Sequence, residues 1–291
     1  MLKKILKVTG LVVGVIVLLA AGFYVKVYVS TQSRMNKVYH VEVQHLEPAG
    51  DSAMIALGRR LAVTKGCTEC HGDDLCGKVF VDDGALGHLY ARNLTKGKGG
   101  LPADHDMDDW ALALKHGIRR DGRPLLFMPS HEYTMLSEHD MRSIIAYVTQ
   151  VPHVDRELPP STVGPLGRIL TDLGKLPLLP AELIDHTATL KKEVMPEISI
   201  AYGKYLSIAC QGCHRENMKG GEPVAPGYPV VADISSTGNP GSWSDEQFMR
   251  TLRTGVTPEG KTLNPAEMPW LMTKAYTDAE LKALHLYLQS L

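Results

Sequence analysis

The sequence predicts an all-α protein: an N-terminal transmembrane helix followed by two tandem small helical domains. Three observations predict it. A long uncharged apolar run lies near the N-terminus. A set of short motifs then occurs twice in the same order. Apolar residues recur at helical spacing behind capping signals, while strand signals are sparse.

The apolar run is the first element. Lys3, Lys4 and Lys7 precede it, Val8 to Val25 carries no charge, and Val27-Tyr28-Val29 resumes it after Lys26. A bilayer crossing takes roughly 20 apolar residues. A cleaved signal peptide has a shorter apolar core and a small-residue cleavage site; Ala20-Ala21-Gly22 is a weak match. The expected element is an uncleaved single-span anchor over residues 1–30, followed by a linker at 31–48. Basic residues before the span place the N-terminus in the cytoplasm. The rest then lies on the outer side of that membrane.

An internal duplication organises the remainder of the chain. Arg59-Arg60-Leu61 matches Lys204-Tyr205-Leu206, and Trp110 to Gly117 matches Phe248 to Gly255. Asp121-Gly122-Arg123 matches Glu259-Gly260-Lys261, Met128-Pro129 matches Met268-Pro269, and Tyr147 matches Tyr287. Ser52 and Ser199 are the expected caps of the helices leading toward Cys67 and Cys210. Asp106 and Ser244 look like N-caps, with Gln247 completing a capping-box spacing in the second. Gly117 and Gly255 are expected to stop those helices. Ser137 and Thr277 start the last helix of each copy, whose apolar faces are Ile144, Ile145 and Val148, and Leu281, Leu284 and Leu288. Residues 154–196 are rich in Pro and Gly. They are too long for a minimal linker, so they are expected to lie across one or both domains, with a short helix near Leu166–Leu173.

Each copy contains Cys-x-x-Cys-His: Cys67-Thr68-Glu69-Cys70-His71 and Cys210-Gln211-Gly212-Cys213-His214. This spacing reads as a c-type haem attachment site. Two thiols add to the two vinyl groups of one porphyrin, and the adjacent histidine reaches the iron. Zinc binding requires no histidine beside the second cysteine of both pairs. A thioredoxin-like motif requires a βαβ context, and structural disulfides leave the repeated histidine unexplained. Two covalently bound haem c groups are therefore expected.

A second axial ligand is Met or His in such carriers, Met raising the potential. Met128 and Met268 occupy equivalent places in the duplication, and each precedes a proline, which restricts the methionine to extended backbone. They are the expected distal ligands. A Met is otherwise a gap-filling core residue; Met107, Met135 and Met272 have no Met equivalent in the other copy. His88, His105, His116, His131, His139 and His153 lie in or near the first copy without histidine counterparts in the second, so bis-His ligation is the minor alternative.

The formal charge is −1. Four lysines and no acids fall in the first thirty residues, leaving 27 basic and 32 acidic residues beyond them. Nucleic-acid binding, which needs a basic domain, is not indicated.

The two Cys-x-x-Cys-His motifs, Asn93-Leu94-Thr95, the Asp121-Gly122-Arg123-Pro124 turn and the Met-Pro loops together resemble class I cytochromes c, of the membrane-anchored dihaem kind that partners bacterial dehydrogenases or respiratory complexes. The resemblance covers residues 49–153 and 197–291. It implies an N-terminal transmembrane helix followed by two tandem class I cytochrome c domains, three to five helices around each haem, one haem edge near the surface, and electron carriage without a bound substrate. The expected function is single-electron transfer between a quinol-oxidising complex or dehydrogenase and a downstream cytochrome or oxidase. The alternatives are a dihaem peroxidase-like enzyme, disfavoured because both irons look closed, and a cytochrome subunit of a larger oxidase or dehydrogenase complex. Trp110 and Phe248 are expected to pack near the haems. Arg92 is a candidate propionate partner. Arg119, Arg120 and Arg123 with Lys96 and Lys98 are a candidate basic rim. Cys76, whose counterpart is Lys219, is expected to be a free thiol.

Overall fold

The computed structural model describes residues 1–48, 50–224 and 227–291. Helix α1 (Leu2–Met35) carries the apolar run and continues past residue 30. Among the described residues it is the one helix long and apolar enough to cross a membrane. Its 34 residues extend roughly 50 Å at 1.5 Å per residue, well beyond a hydrocarbon core of ~30 Å. Side chains along its first part stand exposed, Leu11, Ile16 and Leu18 among them, whereas Val27 and Thr31 near its end are fully buried.

The first copy contains α2 (Ser52–Thr64), α3 (Cys67–His71), β1 (Lys78–Asp83), β2 (Gly87–Ala91), α4 (Met107–His116), α5 (Ser130–Tyr133) and α6 (Glu138–Val148). The connector contributes β3 (Thr162–Val163) and α7 (Pro165–Asp172). The second copy contains α8 (Ile200–Leu206), α9 (Ile208–His214), α10 (Asp245–Thr254) and α11 (Asp278–Gln289).

The caps follow the sequence closely. Asp106 and Ser244 each close a capping box, with Asp109 and Gln247 reaching back. Gly117 and Gly255 sit at φ 64° and 72°, a backbone region where only glycine is unstrained. Ser137, Ser199 and Thr277 cap α6, α8 and α11. One cap shifts: Asp51 rather than Ser52 accepts from Met54 N, at 2.8 Å, leaving Ser52 as the first helical residue.

In each copy the first helix crosses the last at a glycine. A Cβ on Gly58 would meet Ser143 O at 1.8 Å, and one on Gly203 would meet Ala283 O at 2.0 Å. Behind these crossings lie two apolar cores. The first gathers Leu61, Cys67, Trp110, Leu114, Met141 and Ile145; the second gathers Leu206, Met218, Phe248, Leu281, Leu284 and Leu288.

One feature departs from a purely helical expectation. Val79-Phe80-Val81 pairs antiparallel with Gly87–Ala91 through a bulge, and β3 adds to β2, giving the order β1-β2-β3. The β-branched and aromatic residues favour this hairpin, and Asp83 fixes its turn by accepting from Ala85 N and Leu86 N. The connector does lie across the structure, mostly on the first copy. Leu190 joins that copy's core, Leu178 and Leu179 pack with Leu89, and the carbonyls of Lys191 and Lys192 accept from Glu138 N and His139 N. Those N–H groups open α6 and have no partner within the helix.

The copies meet through a reciprocal pair of contacts. Arg60 on α2 donates to Glu280 on α11 at 2.5 and 2.7 Å. Tyr205 on α8 donates to Asp140 on α6 at 2.5 Å. Arg60 and Tyr205 are equivalent in the duplication, as are Asp140 and Glu280, so the interface has the self-complementary character of a two-fold dimer.

Candidate functional site

Each Cys-x-x-Cys-His forms a short helical turn whose C-terminal histidine is fastened by a returning chain. After α3, Gly72 turns at φ 83° and Leu75 at φ 55°; after α9, Arg215 and Met218 do the same at φ 67° and 59°. The chain then bonds back: Gly77 N donates to His71 O at 2.7 Å, and Gly220 N to His214 O at 3.0 Å. Further on, Leu94 N donates to Leu75 O and Ile234 N to Met218 O, both at 2.9 Å. This return brings one backbone carbonyl onto each imidazole. His71 Nδ1 lies 2.7 Å from Arg92 O, and His214 Nδ1 lies 2.8 Å from Ala232 O. A carbonyl only accepts, so Nδ1 carries the proton in both rings and Nε2 keeps its lone pair. Burial lowers the pKa of both histidines, which favours the neutral, ligating form.

Cys67, Cys70, Cys210 and Cys213 are all free of disulfides. Burial pushes the Cys67 thiol up to about 12 and the Cys210 thiol to about 11. Such thiols are neutral and apolar in their surroundings, unlike the electropositive sites that generate reactive thiolates. Met128 packs against the core that contains Cys67, and Met268 against the core that Cys210 joins. The two Met-Pro loops share one backbone conformation: Pro129 has φ −76°, ψ 51° and Pro269 has φ −76°, ψ 57°. Ser130 N donates to Met128 O and Trp270 N to Met268 O, each at 2.7 Å. Paired neutral thiols, an imidazole with a free Nε2 and a thioether against the same core fit a covalently attached haem in each copy. Buried polar atoms near the second motif point the same way: Lys65 Nζ and Tyr276 OH have no hydrogen-bond partner among the described residues.

The weaker expectations divide. Trp110 and Phe248 are buried at 5% and 4% exposure. Cys76 is a fully buried free thiol. Arg92 is exposed and enters the site through its carbonyl. The basic rim does not form as a free patch. Arg120 is taken up by Asp104 and Asp109, Lys98 by Glu157, and Arg119 and Arg123 both flank Asp121. Of the alternative histidines, His88 pairs with Asp82 at 2.6 Å, His105 stands edge-on to Trp110, and His116 Nδ1 meets His186 Nδ1 at 3.0 Å.

Two residues at the junction of the copies were not singled out from sequence. A Cβ on Gly212, inside the second motif, would lie 2.9 Å from Glu132 Oε1. Glu132 follows the first Met-Pro loop, so that loop abuts the second motif. Burial pushes its carboxyl up to about 7 against the opposing influence of Lys65. Lys65, itself buried with its pKa lowered by burial, lies with Nζ 5.2 Å from the centre of the Tyr205 ring. Nothing in either local sequence distinguishes these residues from solvated charges.

Comparison with known proteins agrees with this geometry. The chain is 29% identical over 279 residues to the fructose dehydrogenase cytochrome subunit of Gluconobacter japonicus, covering 86% of this chain and 56% of that protein. It is 25% identical over 277 residues to the cytochrome c subunit of the quinone alcohol dehydrogenase of Gluconobacter oxydans (strain 621H), covering 83% and 55% respectively. The chain thus spans about half the length of these curated relatives. The Cytochrome c family model matches residues 55–152 and again 200–291, over half of the sequence, and this chain belongs to the cytochrome c family.

Proposed function

We propose that this protein is a dihaem electron carrier held at the periplasmic face of a bacterial inner membrane by α1. Cys67 and Cys70 hold one haem c through thioether bonds, and Cys210 and Cys213 hold the other. His71 with Met128, and His214 with Met268, would be the protein ligands to the two irons. The haem-bearing domains are residues 49–153 and 197–291. Each bound haem supplies a one-electron ferric/ferrous couple.

The protein's own contribution is positional. The carbonyls of Arg92 and Ala232 fix the tautomer and orientation of the two imidazoles, which also raises their basicity as ligands. The apolar cores around Cys67 and Cys210 exclude water, and the reciprocal, partly buried interface keeps the copies in register for transfer between them. The single observation that carries the reading is the same His–carbonyl bond and the same Met-Pro loop appearing in both copies. Relatives named as cytochrome subunits of fructose and alcohol dehydrogenases favour a membrane dehydrogenase as the electron donor. The downstream acceptor is a cytochrome or oxidase.

The test is an optical redox titration of the haem-loaded protein, following the far-red ferric band given by Met–iron bonding. Two haems with that band, one lost in Met128→Ala and the other in Met268→Ala, are the expected result. A high-spin ferric signal in the unaltered protein, with ready cyanide binding, overturns the closed-iron carrier.

A further inference from the structure

The outer end of α1 is tied to one segment of the connector. Lys26 Nζ donates to Asp172 Oδ2 at 2.6 Å. Arg168 donates to Thr31 Oγ1 at 2.9 Å, and its guanidinium lies 4.3 Å from the centre of the Tyr28 ring. Helix α7 therefore packs across the outer turns of α1: Asp172 is bonded to Lys26, Arg34 donates to Thr171 O at 3.4 Å, and Arg168 also donates to Gln32 Oε1 at 3.1 Å. Lys26 is the first charge after the uncharged stretch, and Phe23, Tyr24 and Tyr28 surround it in sequence. Aromatic residues beside a cation mark the depth at which a span meets the headgroups. Asp172 is bonded at that depth.

The chain turns directly after this bonded carboxylate. Leu173, Gly174 and Lys175 are all exposed, Leu173 at 57%, and Gly174 makes the reversal at φ 67°. An apolar tip with a lysine beside it, one residue beyond a carboxylate bonded to Lys26, suits an interfacial lipid contact. Lysine also gains from anionic headgroups.

We propose that the turn Leu173–Lys175 dips into the outer leaflet beside α1, with Leu173 at the acyl boundary and Lys175 among the headgroups. A single helix leaves its cargo free to swivel; a second contact does not. The strap that carries this turn is anchored in the first copy through Leu178, Leu179 and Leu190, so the turn sets the tilt of that copy against the bilayer. The inference rests on α1 spanning the membrane.

The test uses the full-length, haem-loaded protein in liposomes of phosphatidylcholine and phosphatidylglycerol containing a phospholipid with a diazirine near its glycerol. After illumination, tryptic peptides are compared: 8–26 from α1, 169–175 from the tip, and 283–291 from the far copy, which bears the exposed Leu286. The expected result is lipid adduct on 8–26, and roughly tenfold more adduct on 169–175 than on 283–291, as an interfacial apolar anchor requires. Leu173→Glu should abolish the excess on 169–175 and leave 8–26 unchanged. Labelling of 8–26 with 169–175 no higher than 283–291 overturns the docked tip while the span survives, and leaves a protein partner as the cover for Leu173. Failure to label 8–26 overturns the span and the inference with it.

Discussion

His71 is fastened to Arg92 O in the first copy as His214 is to Ala232 O in the second, yet the surroundings of these two bonds differ. The first copy is wrapped by the β1–β2 hairpin, by β3 and α7 of the connector, and by the end of α1. In the second copy the corresponding stretch shows, among the described residues, one bridge between Gly221 and Val231, and Val224, Tyr228, Val230 and Leu271 stand exposed. A few backbone bonds and two helix crossings suffice to rebuild the site. The periphery is then free to specialise, in the first copy for contact with α1.

The crossings give the sharpest way to break this equivalence. Gly58→Ala and Gly203→Ala each place a methyl inside the contact distance of a backbone carbonyl, and the helices must separate. Overpacking a tight core costs roughly 1–3 kcal/mol and occasionally more; with a carbonyl as the obstacle, about 3 kcal/mol or more is expected at either site. Calorimetry of the two variants should show destabilisation of similar size. A clear inequality would mean that the wrapping of the first copy absorbs the strain.

The interface tests whether the copies act as one unit. Arg60→Ala leaves Glu280, only 5% exposed, as a buried carboxylate that keeps only its bonds from Thr277 and Tyr202. Burial works to raise the pKa of Glu280, but hydrogen bonds from Arg60 and the Thr277 backbone more than offset it. Losing a buried partner costs roughly 3–5 kcal/mol; Arg60 is itself partly exposed, so about 2 kcal/mol is expected. Tyr205→Phe removes the equivalent contact to Asp140 and should cost about 1 kcal/mol. Each is expected to split one melting transition into two, and a single unshifted transition in both would show that the interface contributes nothing to cooperativity.

Glu132 distinguishes the copies by pH, since its counterpart in the duplication is Met272. Its pKa rises from 4.5 unfolded to about 7 folded. The folded state then binds more protons than the unfolded state between those values, so stability falls as pH rises through that window. The full linkage is about 3 kcal/mol at 1.36 kcal/mol per unit, and roughly 1–2 kcal/mol is expected because the carboxyl is not wholly buried. Glu132→Gln should flatten the pH dependence of the melting midpoint between pH 4.5 and 7. A profile unchanged by the substitution would place Glu132 in solvent.

Legibility followed locality. The N-caps at Asp106 and Ser244, the stops at Gly117 and Gly255 and the apolar faces of α6 and α11 are set by residues three or four apart, and they stand where the sequence puts them. The paired motifs and Met-Pro loops were legible because the duplication checks one copy against the other. The hairpin was hidden because part of its pairing comes from β3, over seventy residues away. Glu132, Lys65 and the ion pairs that dissolve the basic rim depend on partners from distant segments. A buried or paired charge cannot be told from a solvated one before its neighbours are known.

The smallest effect is a gain. Gly72 and Arg215 hold the same place after the two motifs, with φ, ψ of 83°, 162° and 67°, 172°. That region is essentially reserved for glycine, and another residue there costs of order 1–3 kcal/mol. Arg215 recovers part of this through its bond to Glu222 O at 3.1 Å, an exposed contact of modest value. Arg215→Gly is therefore expected to stabilise the second copy by about 1 kcal/mol, and Gly72→Arg to destabilise the first by more, since no equivalent carbonyl bond is in place. If Arg215→Gly instead destabilised the protein, the guanidinium would be doing more than bonding a carbonyl. The arginine would then belong to the function of the second site, as the position where the two copies diverge beside an otherwise identical histidine.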